Sequence, residues 1–140
     1  MKWLLCFVFA CALRVYSKPI NHGALGPETE CLKDYLDILD KIMIEVHSIS
    51  QADDEAAGEY FICTLKKRQI LGDNGEINPE NIYKYWVEVY QTTISSDSEE
   101  QQIRDAAKEC AKLKDDKFPI LALKIKNCIL EGAHKLPFVG

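Results

Sequence analysis

Pro119-Ile120-Leu121-Ala122-Leu123-Lys124-Ile125-Lys126-Asn127-Cys128-Ile129-Leu130-Glu131-Gly132-Ala133-His134 is the stretch on which the fold turns. Its apolar residues fall on more than one face of a helix, and a helix of that kind belongs at the centre of a core. Upstream, Ser96 followed by Glu99 matches a capping box, and Ile103, Ala106, Ala107, Cys110 and Leu113 form the stripe of the helix it opens. Before that, Asn78-Pro79-Glu80 supplies a cap, a proline at the first helical position and an acid in the first turn. Ile82, Tyr83, Trp86, Val87, Val89 and Tyr90 are the apolar members of that helix. Gly72-Asp73-Asn74-Gly75 is a turn, with glycines available for positive φ.

Further back, Ser50 with Asp53 three residues on predicts a capped helix start. Ala56, Ala57, Tyr60 and Cys63 continue its face, with Phe61 and Leu65 on the flank. Gly26-Pro27 opens the earliest helix. Leu32, Tyr35, Leu36, Leu39, Ile42, Met43 and Val46 then recur at intervals of three and four, one buried stripe. Either one long helix or two with a bend near Lys41 fits that spacing. No alternating strand, internal repeat or low-complexity stretch interrupts the pattern, so the chain reads as a single all-α domain of five or six helices.

The N-terminus has a different character. Met1-Lys2 gives a positive start, and Trp3 to Leu13 is an apolar run of eleven residues. That run is too short to cross a bilayer core of about 30 Å. Val15-Tyr16-Ser17 follows as the recognition stretch of a signal peptidase, so residues 1–17 are expected to be a signal peptide and residues 18–140 the mature domain. Cleavage removes Lys2 and Arg14 and no acid, taking the formal charge from −5 to −7. An acidic balance of that size argues against a nucleic-acid partner. No other segment approaches the roughly 20 apolar residues that a membrane span needs.

Four cysteines remain after cleavage: Cys31, Cys63, Cys110 and Cys128. An even count in a small secreted domain predicts two disulfides. Three pairings are possible, each bridge contributing about 3–4 kcal/mol on a chain-entropy account. No Cys-x-x-Cys pair and no histidine at ligand spacing from a second cysteine supports a zinc site, so no metal and no cofactor are expected.

The signal peptide, the helix-rich domain, these four cysteines and the run Leu65-Lys66-Lys67-Arg68-Gln69-Ile70-Leu71-Gly72-Asp73-Asn74-Gly75-Glu76-Ile77 together resemble an insect odorant-binding protein. The family pattern has six cysteines, with three residues between the second and third and eight between the fifth and sixth. Glu59 and Pro119 occupy the two missing positions, so the chain resembles the four-cysteine subgroup that lacks the middle bridge. The resemblance matches Cys31, Cys63, Cys110 and Cys128 to the first, third, fourth and sixth family cysteines. It thereby implies the pairs Cys31–Cys63 and Cys110–Cys128. It also implies a bundle of about six helices around an internal apolar cavity that carries small lipophilic molecules.

Little in the sequence points to covalent chemistry. Neither Gly-x-Ser-x-Gly nor His-Glu-x-x-His occurs, and His22, His47 and His134 have no local partner motif. A calcium loop with Gly75 at its sixth position would begin at Ile70 and end at Asn81, neither of which is a carboxylate. Asp97, Glu99 and Glu100 are explained by the helix N-terminus they occupy. Lys66-Lys67-Arg68 reads as a solvated helix end or a small partner-binding patch.

The apolar residues Leu39, Ile42, Met43, Phe61, Leu65, Trp86, Tyr90, Leu121, Ile125 and Ile129 are the candidates to line a ligand site. Periodicity alone does not separate a hollow core from a packed one. Trp86 and Tyr90, four apart, offer ring surface with a polar handle, and Tyr35, Tyr60 and Tyr83 are secondary candidates for that polar role. Phe138, in the tail from Leu136 to Val139, joins the lining if the tail folds back as a lid rather than fraying. His134 beside it is a candidate for coupling pH to the tail.

The expected function is a secreted, extracellular carrier of small hydrophobic ligands, monomeric or weakly dimeric, with a membrane receptor as a further partner. The alternative is a secreted helical signalling or effector protein acting through surface contacts with a protein receptor.

Overall fold

A computed structural model describes residues 21–136. Six α-helices lie within them: α1 Gly26–Leu32, α2 Leu39–His47, α3 Glu55–Lys67, α4 Pro79–Val89, α5 Asp97–Cys110 and α6 Phe118–Lys135. Two single 3-10 turns, His22–Ala24 and Leu36–Ile38, precede α1 and α2. The only β feature among the described residues is an isolated antiparallel bridge between Leu71 and Ile77, closing the turn between α3 and α4. Of the two glycines in that turn, Gly75 takes the positive φ, at 86°.

The central place expected for the last helix is the one it holds. Leu121, Ala122, Leu123, Ile125, Lys126, Ile129 and Ala133 of α6 are all buried, spread over more than half of the helix circumference and leaving a narrow solvent side at Glu131, His134 and Lys135. Its most extensive packing is against α3. Gly58 permits that approach: a Cβ there would overlap the backbone of Pro119. Near the other end, Gly132 faces the indole of Trp86, and a Cβ would come within 2.5 Å of the ring. Two glycines thus set how closely α3 and α4 approach the central helix.

The cysteine pairs are Cys31–Cys63, joining α1 to α3, and Cys110–Cys128, joining α5 to α6. Their Cα atoms lie 6.0 and 5.7 Å apart, ordinary spacings for a disulfide. Glu59 and Pro119, where the six-cysteine pattern would place its middle bridge, fall beside and within the Gly58–Pro119 approach.

Helix starts follow local chemistry where the cap residue is free to act. Asn78 accepts from the Asn81 amide at 3.3 Å, and Ser96 accepts from the Glu99 amide at 3.2 Å. The Glu99 carboxylate bonds the amide and hydroxyl of Ser95 rather than returning to Ser96.

Two expectations need correction. The α3 cap is Asp54, which accepts from the Ala57 amide; the Ser50 hydroxyl is taken by the Glu45 carboxylate, 2.6 Å away. The stripe from Leu32 to Val46 is not one buried surface. The chain breaks at Lys33–Tyr35, not near Lys41, and restarts through a 3-10 turn. A 3-10 turn advances three residues per turn rather than 3.6, which shifts the apolar phase. On α2 only Ile42 and Glu45 are buried, while Leu39, Met43 and Val46 stand on the outside.

Candidate ligand-binding interior

Eight of the residues proposed to line a site come together in one core cluster: Ile42 from α2, Phe61 and Leu65 from α3, Trp86 from α4, Tyr90 at its end, and Leu121, Ile125 and Ile129 from α6. Leu39 and Met43 do not join them, being 36% and 44% exposed. Phe138 and most of the proposed lid lie outside the described residues.

Trp86 is completely buried, and its indole N–H donates to the Ile129 carbonyl at 3.0 Å. That bond satisfies the ring's only donor and ties α4 to α6. Tyr90 is nearly buried and meets Tyr85 edge-on, with centroids 6.1 Å apart. No described residue hydrogen-bonds the Tyr90 hydroxyl, whose proton burial makes harder to remove than an ordinary phenol's. Tyr60 packs edge-on to both Phe61 and Tyr35, and its hydroxyl donates to the Glu28 carbonyl. Burial, then the Glu28 charge, pushes its pKa up to about 12.

One flank of this interior is closed by a polar cluster with no local signal in the sequence, its Glu28 and Arg68 lying 40 residues apart. Arg68 holds the Glu28 carboxylate with two bonds and donates to the Ala24 carbonyl at 2.7 Å. Its guanidinium lies 4.7 Å from the centre of the Tyr85 ring. Burial works against the Arg68 charge, and the Glu28 carboxylate more than offsets it. Tyr85 is pushed well above the usual phenol range, first by burial and then by Tyr90 and Glu28. On its outer side, Arg68 and Tyr85 of this cluster join Pro27, Lys67, Asn81, Lys84 and Glu88 to line a polar cleft of about 230 Å³. Lys66 and Lys67 pair with Asp73 and Glu30, so the basic run Lys66-Lys67-Arg68 is engaged within the chain.

The opposite flank carries a second buried pair. Lys126 and Glu45 are each 7% exposed and 2.7 Å apart. Lys126 also donates to the Ser48 carbonyl, and Asn127 exchanges two bonds with the Ser50 backbone. Burial holds the Lys126 ammonium below the usual lysine range, against the pull of Glu45. The signal for this pair was a charge on each apolar stripe, Glu45 three after Ile42 and Lys126 three before Ile129.

Among the described residues, no group of three or more His, Cys, Asp or Glu is placed to hold a metal ion. No described helix is long and apolar enough to cross a membrane.

The model of the PBP/GOBP family matches residues 18–132. The chain belongs to the PBP/GOBP family, the insect odorant-binding family. Searches of curated proteins and of solved structures each return no match. The family assignment therefore rests on the sequence pattern, with the all-α fold and two disulfides in agreement. PBP/GOBP proteins form a binding and carrier family rather than an enzymatic one, and a small hydrophobic ligand is what the assignment implies.

Proposed function

We propose that the chain is a secreted carrier that takes a small hydrophobic ligand among Ile42, Phe61, Leu65, Trp86, Tyr90, Leu121, Ile125 and Ile129. The observation that carries this reading is their gathering from four regions of a PBP/GOBP chain into one cluster around α6. Affinity comes from burying apolar ligand surface, about 25 cal/mol per Å² before ordering costs. For a volatile-sized ligand that corresponds to micromolar binding, roughly −8 kcal/mol. The Tyr90 hydroxyl, with no described hydrogen-bond partner, orients an oxygen-bearing ligand group. No covalent step is part of the function.

The test uses the chain expressed with its own leader and purified from the culture medium. An environment-sensitive apolar fluorophore should bind saturably with a blue shift and be displaced by fatty or terpenoid compounds. Tyr90→Phe should weaken alcohol and aldehyde competitors several-fold while leaving hydrocarbons unchanged. Trp86→Ala is the poorer variant, because it also removes the bond to Ile129 and a buried ring. A folded, helical sample that leaves the fluorophore unbound would overturn the carrier reading.

A further inference from the structure

Arg68 leaves one edge of its guanidinium unused. Nε and Nη2 hold the Glu28 carboxylate, and Nη2 also donates to the Ala24 carbonyl. A guanidinium carries five N–H donors, and no described residue accepts from the two on Nη1. The side chain is only 9% exposed, yet no fully buried side-chain nitrogen or oxygen among the described residues lacks a partner. Nη1 therefore reaches open space, and the space that Arg68 lines is the polar cleft. Its volume of about 230 Å³ is many times the roughly 10–15 Å³ that a single water needs.

Both signs of charge face this cleft. Pro27 of α1, Lys67 of α3 and Arg68 just beyond it form one side. Asn81, Lys84, Tyr85 and Glu88 form the other, at spacings that place them on one face of α4. Lys67 is already paired with Glu30, whereas Lys84 and Glu88 are exposed and enter no ion pair among the described residues. The Glu88 charge is felt at Arg68 without a bond between them. Glu28 on one edge and the Tyr85 ring 4.7 Å away fix the guanidinium, so presenting Nη1 to a ligand costs little further ordering.

We infer that this cleft is a binding site for a small zwitterion, an α-amino acid, separate from the apolar interior. The ligand carboxylate accepts from Arg68 Nη1 and Lys84, and its ammonium donates to Glu88. Each contact is a charge-assisted hydrogen bond, stronger than a neutral one. A simple anion fits less well, because Glu88 repels it and the chain is net acidic at −5. A simple cation meets Lys67, Arg68 and Lys84. Neither Lys84 nor Glu88 belongs to the apolar cluster, so the site stands whether or not the interior takes a ligand.

Backbone amide shifts of the isotope-labelled secreted chain, titrated with glycine, acetate and methylammonium, test it. Glycine should move the amides of Arg68, Lys84, Tyr85 and Glu88 saturably, with a dissociation constant in the millimolar range. Acetate and methylammonium each supply half of the ligand and should bind at least roughly tenfold more weakly. Lys84→Gln and Glu88→Gln, at exposed positions, should each weaken glycine several-fold with helicity unchanged. Arg68→Lys keeps a cation for Glu28 but removes Nη1, and should abolish saturation in a sample that retains its helical circular dichroism. Affinity for the apolar fluorophore should be the same with and without glycine. Absence of a saturable glycine response overturns the inference. So do equal shifts with glycine and acetate, and glycine binding that survives Lys84→Gln and Glu88→Gln together.

Discussion

Lys126 Nζ lies 2.7 Å from Glu45 Oε2, and this ion pair fastens α2 to the central helix where apolar packing is thin. Ile42 is the sole buried apolar residue of α2, so most of its attachment is polar: the pair, the Lys126–Ser48 bond and the Asn127–Ser50 exchange. Removing one partner of a buried pair strands the other charge, at about 3–5 kcal/mol. Lys126→Ala should therefore cost that much by urea unfolding. Glu45→Leu combined with Lys126→Met should recover most of it. A loss below about 1 kcal/mol for Lys126→Ala would mean that Glu45 finds water, contrary to its burial.

Gly58→Ala should destabilise the fold although alanine is the better helix former by about 1 kcal/mol. The added methyl meets Pro119 backbone, which has no rotamer to yield, and overpacking of this kind costs about 1–3 kcal/mol. Gly132→Ala should cost less, since it meets the edge of the Trp86 ring, and should shift Trp86 fluorescence. Stabilisation by Gly58→Ala would show that α3 and α6 are less closely apposed.

High pH should unfold the protein through its tyrosines. Tyr60, Tyr85 and Tyr90 are all raised from the ordinary phenol value of 10.0, Tyr60 to about 12. The unfolded chain releases these protons first as pH climbs. The stability they contribute is therefore complete below pH 10 and lost as pH rises through the folded-state values. Ultraviolet difference absorption should show a late group of phenols whose ionisation coincides with loss of helical circular dichroism. Simple titration of every tyrosine near pH 10 with the fold intact would contradict the burial of these rings.

Intact mass of the secreted chain should place its first residue at Lys18 and show four hydrogens fewer than the reduced form. Proteolytic fragments should link Cys31 with Cys63 and Cys110 with Cys128, and reduction of either bridge should cost about 3–4 kcal/mol. A leader retained on the secreted chain would contradict cleavage after Ser17.

Helices were legible wherever the signal was local. Asn78 and Ser96 cap as their neighbours suggest, since each needs only an amide three residues away. Ser50 misled because a residue from α2 reached its hydroxyl first: Glu45 is close in sequence, but it is held there by Lys126, far along the chain. The α2 stripe misled because a change of helix type at residues 36–38 altered the phase while the apolar spacing stayed regular.

By itself the sequence determined the all-α class, the family and the central role of α6, because caps, helical period and cysteine spacing are carried by neighbouring residues. Tertiary structure alone decided which apolar residues meet. It put Ile42 inside and Met43, its neighbour, outside; it brought Arg68 to Glu28 and Lys126 to Glu45, and set α3 against α6 at Gly58. Those outcomes depend on how helices rotate about their axes and approach one another, and periodicity fixes a stripe without fixing the surface it faces.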